Sequence, residues 1–318
     1  MRNKIVHFLK SAGGYLSGEE ISRHIKISRA GIWKYIQELR EDGYDIVAVP
    51  HLGYRYLSSP DRLLPVEILF ELGTKILGKD IRHFDSLTST MDVAFQLGVE
   101  GACEGTVVCA ESQTKGKGRL GRSWASPKGK GIYMSVILRP ALLPSDLTQL
   151  TLLSSVAVCE AVNKFCNIAA KIKWPNDILV GDKKLAGILT ESSAEMDRVR
   201  FIVVGIGINV NASLSQLPPH STSIKNETGQ KISRVVLMQE VLRSLERWYA
   251  VLGKDGFAPV IARWKQLSST LGHHVRVIDP SGDVEGEAVD LDENGGLIIR
   301  DDNGLKIKRM SGDVVHIG

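Results

Sequence analysis

The 318-residue chain is poor in the features that cross-link or anchor a protein. Its four cysteines, at 103, 109, 159 and 166, form no Cys-x-x-Cys pair and have no histidines at finger-like spacing. A disulfide framework and a structural zinc site are therefore not expected, and buried, reduced thiols in a cytoplasmic setting are. Long apolar runs are missing as well. The longest uncharged stretches, such as Leu147 to Cys159, are too short to cross a bilayer, so no membrane association is expected. The polar opening Met1-Arg2-Asn3-Lys4 does not read as a secretory leader. Tandem repeats and low-complexity tracts are absent too. What remains is 43% hydrophobic and 24% charged, an ordinary globular composition with length for about two domains.

Net charge is small but unevenly placed. Residues 1–60 hold nine Lys/Arg against six Asp/Glu, which is +3 of the net +4. A small basic module on a near-neutral body points to nucleic acid on the module. Its pattern predicts three short helices and a hairpin. Ser17 and Glu20 form a capping box ahead of a second helix, and Ser28 caps a third with Ile32, Ile36 and Leu39 facing inward. Ser28, Arg29, Trp33, Lys34 and Gln37 are left on or near the outer face, as in the recognition helix of a helix-turn-helix. Tyr44–Val49 and Tyr54–Leu57 make a wing-like hairpin. A helical domain for protein contacts is the plainer alternative.

After a linker near Ser58-Ser59-Pro60-Asp61, the main body mixes strands (105–110, 132–138, 170–173, 184–192, 201–210) with helices (89–97, 145–165, 232–252). Regular β-α-β alternation is lacking, so the fold class is α+β, a mixed sheet covered by helices. From Gly272, short β-rich runs (275–278, 286–291, 297–300, 306–309, 314–317) predict a small SH3-like barrel. The expected domains are 1–60, 65–271 and 272–318.

The most informative stretch is Gln113 to Trp124, which packs three glycines and four cations (Lys115, Lys117, Arg119, Arg122) into one loop. Such a loop suits a phosphorylated ligand. Gly116, Gly118 and Gly121 satisfy G-x-G-x-x-G, yet Ser123-Trp124-Ala125-Ser126-Pro127 is poor helix material, and a dinucleotide loop must open a helix. The Gly-Lys-Ser/Thr ending of a P-loop is also missing.

Other motifs accompany the loop: Asp85-Ser86-Leu87-Thr88-Ser89-Thr90-Met91-Asp92 upstream, then Lys173-Trp174-Pro175-Asn176-Asp177, Lys183-Lys184-Leu185-Ala186-Gly187-Ile188-Leu189 and Gly205-Ile206-Gly207-Ile208-Asn209-Val210-Asn211. In this order and spacing the set resembles the biotin protein ligases, and with the N-terminal module the bifunctional ligase and biotin-operon repressor form. The resemblance spans nearly the whole chain.

It implies ATP-dependent formation of biotinyl-5′-adenylate, then biotin transfer to a lysine of a biotin carboxyl carrier protein. ATP with Mg²⁺ is the implied co-substrate and biotin the substrate, with no permanently bound cofactor. Ser89, Thr90, Met91, Gln113, Gly116, Lys117, Gly118, Arg119, Lys184 and Gly187 match biotin-contacting positions. Lys117, Arg119, Arg122, Trp124, Asn176, Lys184 and Asn209 match the ATP and adenylate side. Lys184, Arg119 and Asp177 are the implied catalytic set, with Asp177 in a turn, orienting the acceptor amine or sitting near Mg²⁺. Lys183 is expected to point away from Lys184 along the strand. Trp124 is expected to anchor the loop by burying its ring.

Met91 stands where a polar residue is common, Lys115 where a small one is usual and Lys117 where arginine is, which leaves the role of Lys117 open. The implied partners are operator DNA through residues 1–60 and a second copy of the chain in a ligand-promoted homodimer. A non-enzymatic biotin-sensing regulator and a lipoate ligase remain the alternatives.

Overall fold

The computed structural model describes residues 1–195, 198–279 and 282–317. The chain forms two compact units, Met1–Leu72 and Gly73–Gly318.

The first unit contains α1 (Arg2–Ala12), α2 (Gly18–Ile25), α3 (Arg29–Glu41), the antiparallel hairpin of β1 (Asp45–Val49) and β2 (Gly53–Ser58), and the short α4 (Pro65–Leu69). The capping box forms as its sequence dictates. Glu20 N–H donates to Ser17 Oγ at 3.1 Å, and Ser17 N–H donates to the Glu20 carboxylate at 2.7 Å. Ser28 Oγ accepts from Gly31 N–H at 3.2 Å and opens α3. Between the two helices the chain reverses through Lys26 at φ 59°. Ile5, Leu9, Ile21, Ile32, Ile36 and Leu39 are all at most 2% exposed and build one core. The hairpin is tied back by paired main-chain bonds between Leu16 and Tyr54, each 2.8 Å. A side chain at Gly53 would meet the Leu16 carbonyl at 2.1 Å, so only glycine lets the wing approach this closely. Glu67, buried, gathers Lys10 (2.8 Å), Tyr44 (3.0 Å) and Ser59 (2.5 Å), tying α4 to α1 and to both sides of the hairpin.

In the second unit come β3 (Ile81–Phe84), α5 (Thr90–Val99), β4 (Val107–Ala110), β5 (Gly131–Leu138), α6 (Leu147–Cys166), β6 (Ala170–Lys173), β7 (Asp177–Val180), β8 (Lys183–Ala194), β9 (Val199–Asn209), α7 (Ile224–Thr228), α8 (Arg234–Asp255) and α9 (Ala258–Leu267). They are followed by β10 (His274–Ile278), β11 (Val284–Leu291), β12 (Leu297–Arg300), β13 (Lys306–Arg309) and β14 (Asp313–His316). A seven-stranded sheet runs β3-β4-β5-β9-β8-β7-β6, with β3 and β4 parallel and the remaining neighbours antiparallel. The α+β mixed sheet is thus as the sequence indicates. The C-terminal runs pair as a five-stranded antiparallel sheet, β13-β12-β11-β10-β14.

Several elements escape the sequence pattern. β3, β7 and α9 were not foreseen, and the expected helix over 145–165 begins two residues late, at Leu147, after a 3₁₀ turn at Pro144–Asp146. All eight residues of β5 are buried, which removes the alternation that marks a half-exposed strand. On one side of the sheet α5 packs Met91 and Ala94 against Val108, Ile137, Phe201 and Val203. Thr151 of α6 meets Thr190 of β8 at 2.9 Å. Thr190 alternates with Leu189, which packs at the edge of the α5 cluster, so α6 lies on the opposite face. No helix among the described residues is long and apolar enough to cross a membrane.

Candidate active site

Sheet register assembles the centre of the site. One cross-strand row runs Phe84, Ala110, Tyr133, Gly207, Gly187, Asp177, Lys173 across all seven strands. Residues paired across strands point to one face, so the row places two cross-strand glycines between Tyr133 and the Asp177–Lys173 pair. The bare floor is covered by Trp124. A Cβ on Gly207 would stand 2.5 Å from its Cε2, and one on Gly187 would stand 3.1 Å from its Cζ3. Trp124 is half-buried rather than wholly so, and its Nε1 is buried without a hydrogen-bond partner. A desolvated donor of this kind costs free energy until an acceptor arrives.

Lys184 reaches this row through a β-bulge. Strict alternation along β8 would put Lys183 on the face of Gly187 and turn Lys184 away. The register instead shifts: Ile178 pairs with Ala186 but Leu179 pairs with Lys184, leaving Leu185 as the extra residue. Lys184 therefore points into the site, and Lys183 is exposed. Its Nζ lies 2.6 Å from Asp177 Oδ1 and 5.6 Å from the Trp124 ring centre. Asp177 belongs to the first position of β7 and not to the Trp-Pro-Asn turn where the sequence suggested it, because Lys173 pairs with it across the sheet. Burial holds the Lys173 ammonium below its usual range, with Asp177 acting in the opposite direction.

At the other end of the hollow, Ser89 caps α5 by accepting from Met91 N–H at 3.3 Å. Gln113 Oε1 accepts from Thr90 N–H at 2.8 Å, and Ser135 Oγ donates to Thr90 Oγ1 at 2.9 Å. Met91 Sδ would touch a Cβ on Gly205 at 2.5 Å, so its thioether closes the apolar side of this end.

The glycine-arginine loop folds over the hollow. Trp124 N–H donates to the Gly116 carbonyl at 2.8 Å and Gly118 N–H to the Arg122 carbonyl at 2.7 Å. At Gly116 a Cβ would lie 2.5 Å from Trp124 O, so this close turn excludes other residues. Three of its four cations are already engaged. Arg119 donates to Asn176 Oδ1 and to the Gly312 carbonyl, each at 3.2 Å, and lies 3.6 Å from Asp313. Arg122 pairs with Asp313 too. Lys117 pairs with Asp92 and lies 3.8 Å from Glu191, and that hydrogen bond to Asp92 raises its pKa. In this structure Lys117 faces carboxylates. Leu120, between the arginines, sits exposed at φ 53°.

Ser89, Thr90, Met91, Gln113, Lys117, Gly118, Arg119, Arg122, Trp124, Asn176, Asp177, Lys184 and Gly187 all line this hollow. Asn209 lines an adjoining one, which shares Arg122, Trp124, Asp177 and Lys184 and is bordered by Pro218, Pro219, His220 and Ser221. There Lys184 N–H donates to the His220 carbonyl and Thr222 N–H to the Lys184 carbonyl, both at 2.9 Å. Sequence reasoning missed Tyr133, Ser135, Glu191 and Asp313. Tyr133 and Ser135 are hidden in a wholly buried strand, and Asp313 lies 191 positions beyond Arg122 with no local signal. Among the described residues no group of three or more His, Cys, Asp or Glu is arranged to hold a metal ion. In the first unit Ser28, Arg29, Trp33 and Lys34 are exposed along α3 and Gln37 is half-buried.

Three family models match the chain: an HTH domain at residues 1–55, the biotin/lipoate A/B protein ligase family at 83–209, and the biotin protein ligase C-terminal domain at 270–317. The bifunctional ligase/repressor BirA of Bacillus subtilis is 39% identical over 99% of this chain and 98% of its own length. Its namesake in Escherichia coli is 30% identical over 94% of this chain and 92% of its own length. Among solved structures, the biotin protein ligase of Aquifex aeolicus in complex with biotin and ATP superposes with a TM-score of 0.66 at 29% identity, covering 75% of this chain and 99% of that one. With this likeness extending from the N-terminal module to the last strands, the chain belongs to the biotin protein ligase family, in its bifunctional ligase/repressor form.

Proposed function

We propose that the protein is an ATP-dependent biotin protein ligase that also acts as a biotin-responsive DNA-binding repressor. One observation carries the reading: a single hollow joins an end lined by Ser89, Thr90, Met91 and Gln113 to an end holding Lys184, Arg119 and Arg122. The first end offers hydroxyls, an amide and a thioether, which suit a ureido ring and an apolar chain. The second offers cations where a carboxylate and an α-phosphate must meet although both are anions.

In this reading Lys184 leaves Asp177 to neutralise the biotin carboxylate and the α-phosphate, lowering the barrier by charge and not as a nucleophile. Arg119 and Arg122 exchange Asp313 for phosphate oxygens, and Trp124 covers the adenylate and keeps water out. Asn176 positions Arg119, while Asn209 and the Ser221 segment take the nucleotide side. Mg²⁺ would be supplied with ATP and would neutralise phosphate charge. Asp177 fits it as one oxygen ligand, because Oδ1 is buried with no hydrogen bond of its own, only the Lys184 charge beside it. Once Lys184 has turned to the ligand, Asp177 is free to orient the acceptor lysine of a biotin carboxyl carrier protein. The first unit serves as the DNA-binding domain, and residues 73–271 and 272–318 as the catalytic and C-terminal domains, of a cytoplasmic protein that dimerises on adenylate binding.

Biotin-dependent exchange of labelled pyrophosphate into ATP tests the first half-reaction. Exchange with biotin and none with lipoate is expected, and folded protein that binds biotin without exchange would put the chain among pure sensors. For the DNA module, the slope of log K against log salt should be steep. Arg29→Ala or Lys34→Ala should each reduce it by about one if that side chain meets a phosphate. An unchanged slope removes that residue from the interface.

A further inference from the structure

The glycine-arginine loop leaves the sheet just after β4 and rejoins it at Gly131. Both stems meet a single guanidinium. Arg234, in the first turn of α8, is 1% exposed. Its Nη1 lies 2.8 Å from Glu111 Oε2 on the outgoing stem and donates to the Gly131 carbonyl on the returning stem at 3.2 Å. Glu111 is 2% exposed, and its Oε1 faces His83 Nε2 of β3 at 3.2 Å. The main chain repeats the link, since Gly129 N–H donates to the Glu111 carbonyl at 2.9 Å. Asn211 N–H holds the Lys130 carbonyl at 2.6 Å, while the Asn211 side chain clasps both main-chain groups of Ile232, at 2.8 and 3.0 Å, just ahead of Arg234.

We infer that the buried Arg234–Glu111 pair is a staple that closes the base of the loop, which makes both members positioning residues for ligation. The inference rests on the ligase reading of the hollow above it. A buried ion pair is poor evidence for stability, because apolar side chains of similar volume often do as well. What the pair supplies is direction. Through Nη1 the guanidinium reaches a carboxylate on one stem and a carbonyl on the other at once, which an apolar pair cannot do, and the shorter lysine side chain lacks the rigid planar head that holds the donor there. Only two positions beyond Glu111 stands Gln113, whose Oε1 bonds Thr90. On the return side, a Cβ at Gly131 would lie 2.6 Å from the Tyr133 ring edge and 2.7 Å from the Ile208 carbonyl, so that stem fits against the sheet without slack. Opening the staple therefore displaces Gln113 and frees the arginines beyond it, although none of the staple's atoms line the hollow.

The test uses the full-length protein with Arg234→Lys, Glu111→Gln and the uncharged double variant Glu111→Leu/Arg234→Met, all checked for an intact melting transition. Two readouts are compared: the kcat and biotin KM of pyrophosphate exchange, and the rate of tryptic cleavage inside the loop at Lys115, Lys117, Arg119 and Arg122. Each folded variant is expected to raise loop cleavage and biotin KM on the order of tenfold, with protection restored by saturating biotinyl-adenylate. The double variant decides the matter where a single substitution prevents folding, since it removes both charges of the pair together. Folded variants with wild-type cleavage and KM would overturn the staple. Failure of exchange in the unmodified protein would instead strike the ligase reading, and the cleavage result would stand apart from it.

Discussion

Lys184→Ala is expected to slow biotinyl-adenylate formation on the order of 10²–10³-fold, which is the cost of removing one preorganised charge from a transition state. The fold should lose little, because Lys173 stays opposite Asp177 across the strand pair and still offsets its charge. The Lys184–Asp177 pair is partly exposed, with side chains 35% and 23% accessible, and such pairs contribute under about 1 kcal/mol. The melting transition should therefore stay in place while pyrophosphate exchange collapses. Lys183→Ala is the control, since Lys183 is exposed and faces away, and it should retain near wild-type exchange. Equal losses from the two substitutions, or full activity of Lys184→Ala, would remove Lys184 from the mechanism. Single-turnover transfer from supplied biotinyl-adenylate separates the steps further. A deficit confined to adenylate formation fits charge neutralisation, whereas a deficit confined to transfer would give the lysine to the second half-reaction instead.

The two neighbouring lysines also show how far the sequence could be read. The motif order placed Lys184, Asp177, Gln113 and the arginine loop in one family pattern, and strand alternation correctly set Lys183 and Lys184 on opposite faces. Alternation alone gave no reason why Lys184 should share a face with Gly187, an odd number of residues away. The bulge at Leu185 supplies it, and a bulge is a property of paired strands that a single strand's sequence does not announce. The same limit explains the missed elements. β3 and β7 are each only four residues long, too short to show alternation. The first unit was more legible because its signals are local. Ser17, Glu20 and Ser28 act within three residues of themselves, and the inward isoleucines repeat at helical spacing. By contrast, the engagement of Arg119 and Arg122 by Asp313 depends on a contact between distant parts of the chain. That contact changes the meaning of the loop. Its arginines are not free cations awaiting phosphate, and ligand must compete with Asp313 for them.

Gly207→Ala should cost as much as losing a charged residue, on the order of 10²-fold in kcat/KM, although it removes no functional group. Gly207 has no positive φ to explain its lack of a side chain. Its role is steric: a single methyl group would stand 2.5 Å from Trp124 Cε2 and 2.7 Å from Nε1, well inside contact distance. The strand cannot yield, because Gly207 is paired on both sides, with Tyr133 of β5 and Gly187 of β8. Trp124 must therefore move, and with it the loop end that is bonded through its N–H to Gly116. If displacement of the indole is the whole effect, the two residues are coupled and their losses are not additive. Trp124→Ala alone should lose activity because the cover is gone, and adding Gly207→Ala to it should cost little more. Measuring kcat/KM for both single variants and the double variant closes the cycle. Fully additive losses would show that the glycine serves the ligand directly, by leaving room for it above the sheet, and that Trp124 is a separate contributor. Strong non-additivity would identify the glycine floor as the seat of the indole, so that the bare strand and the ring above it form one element of the site.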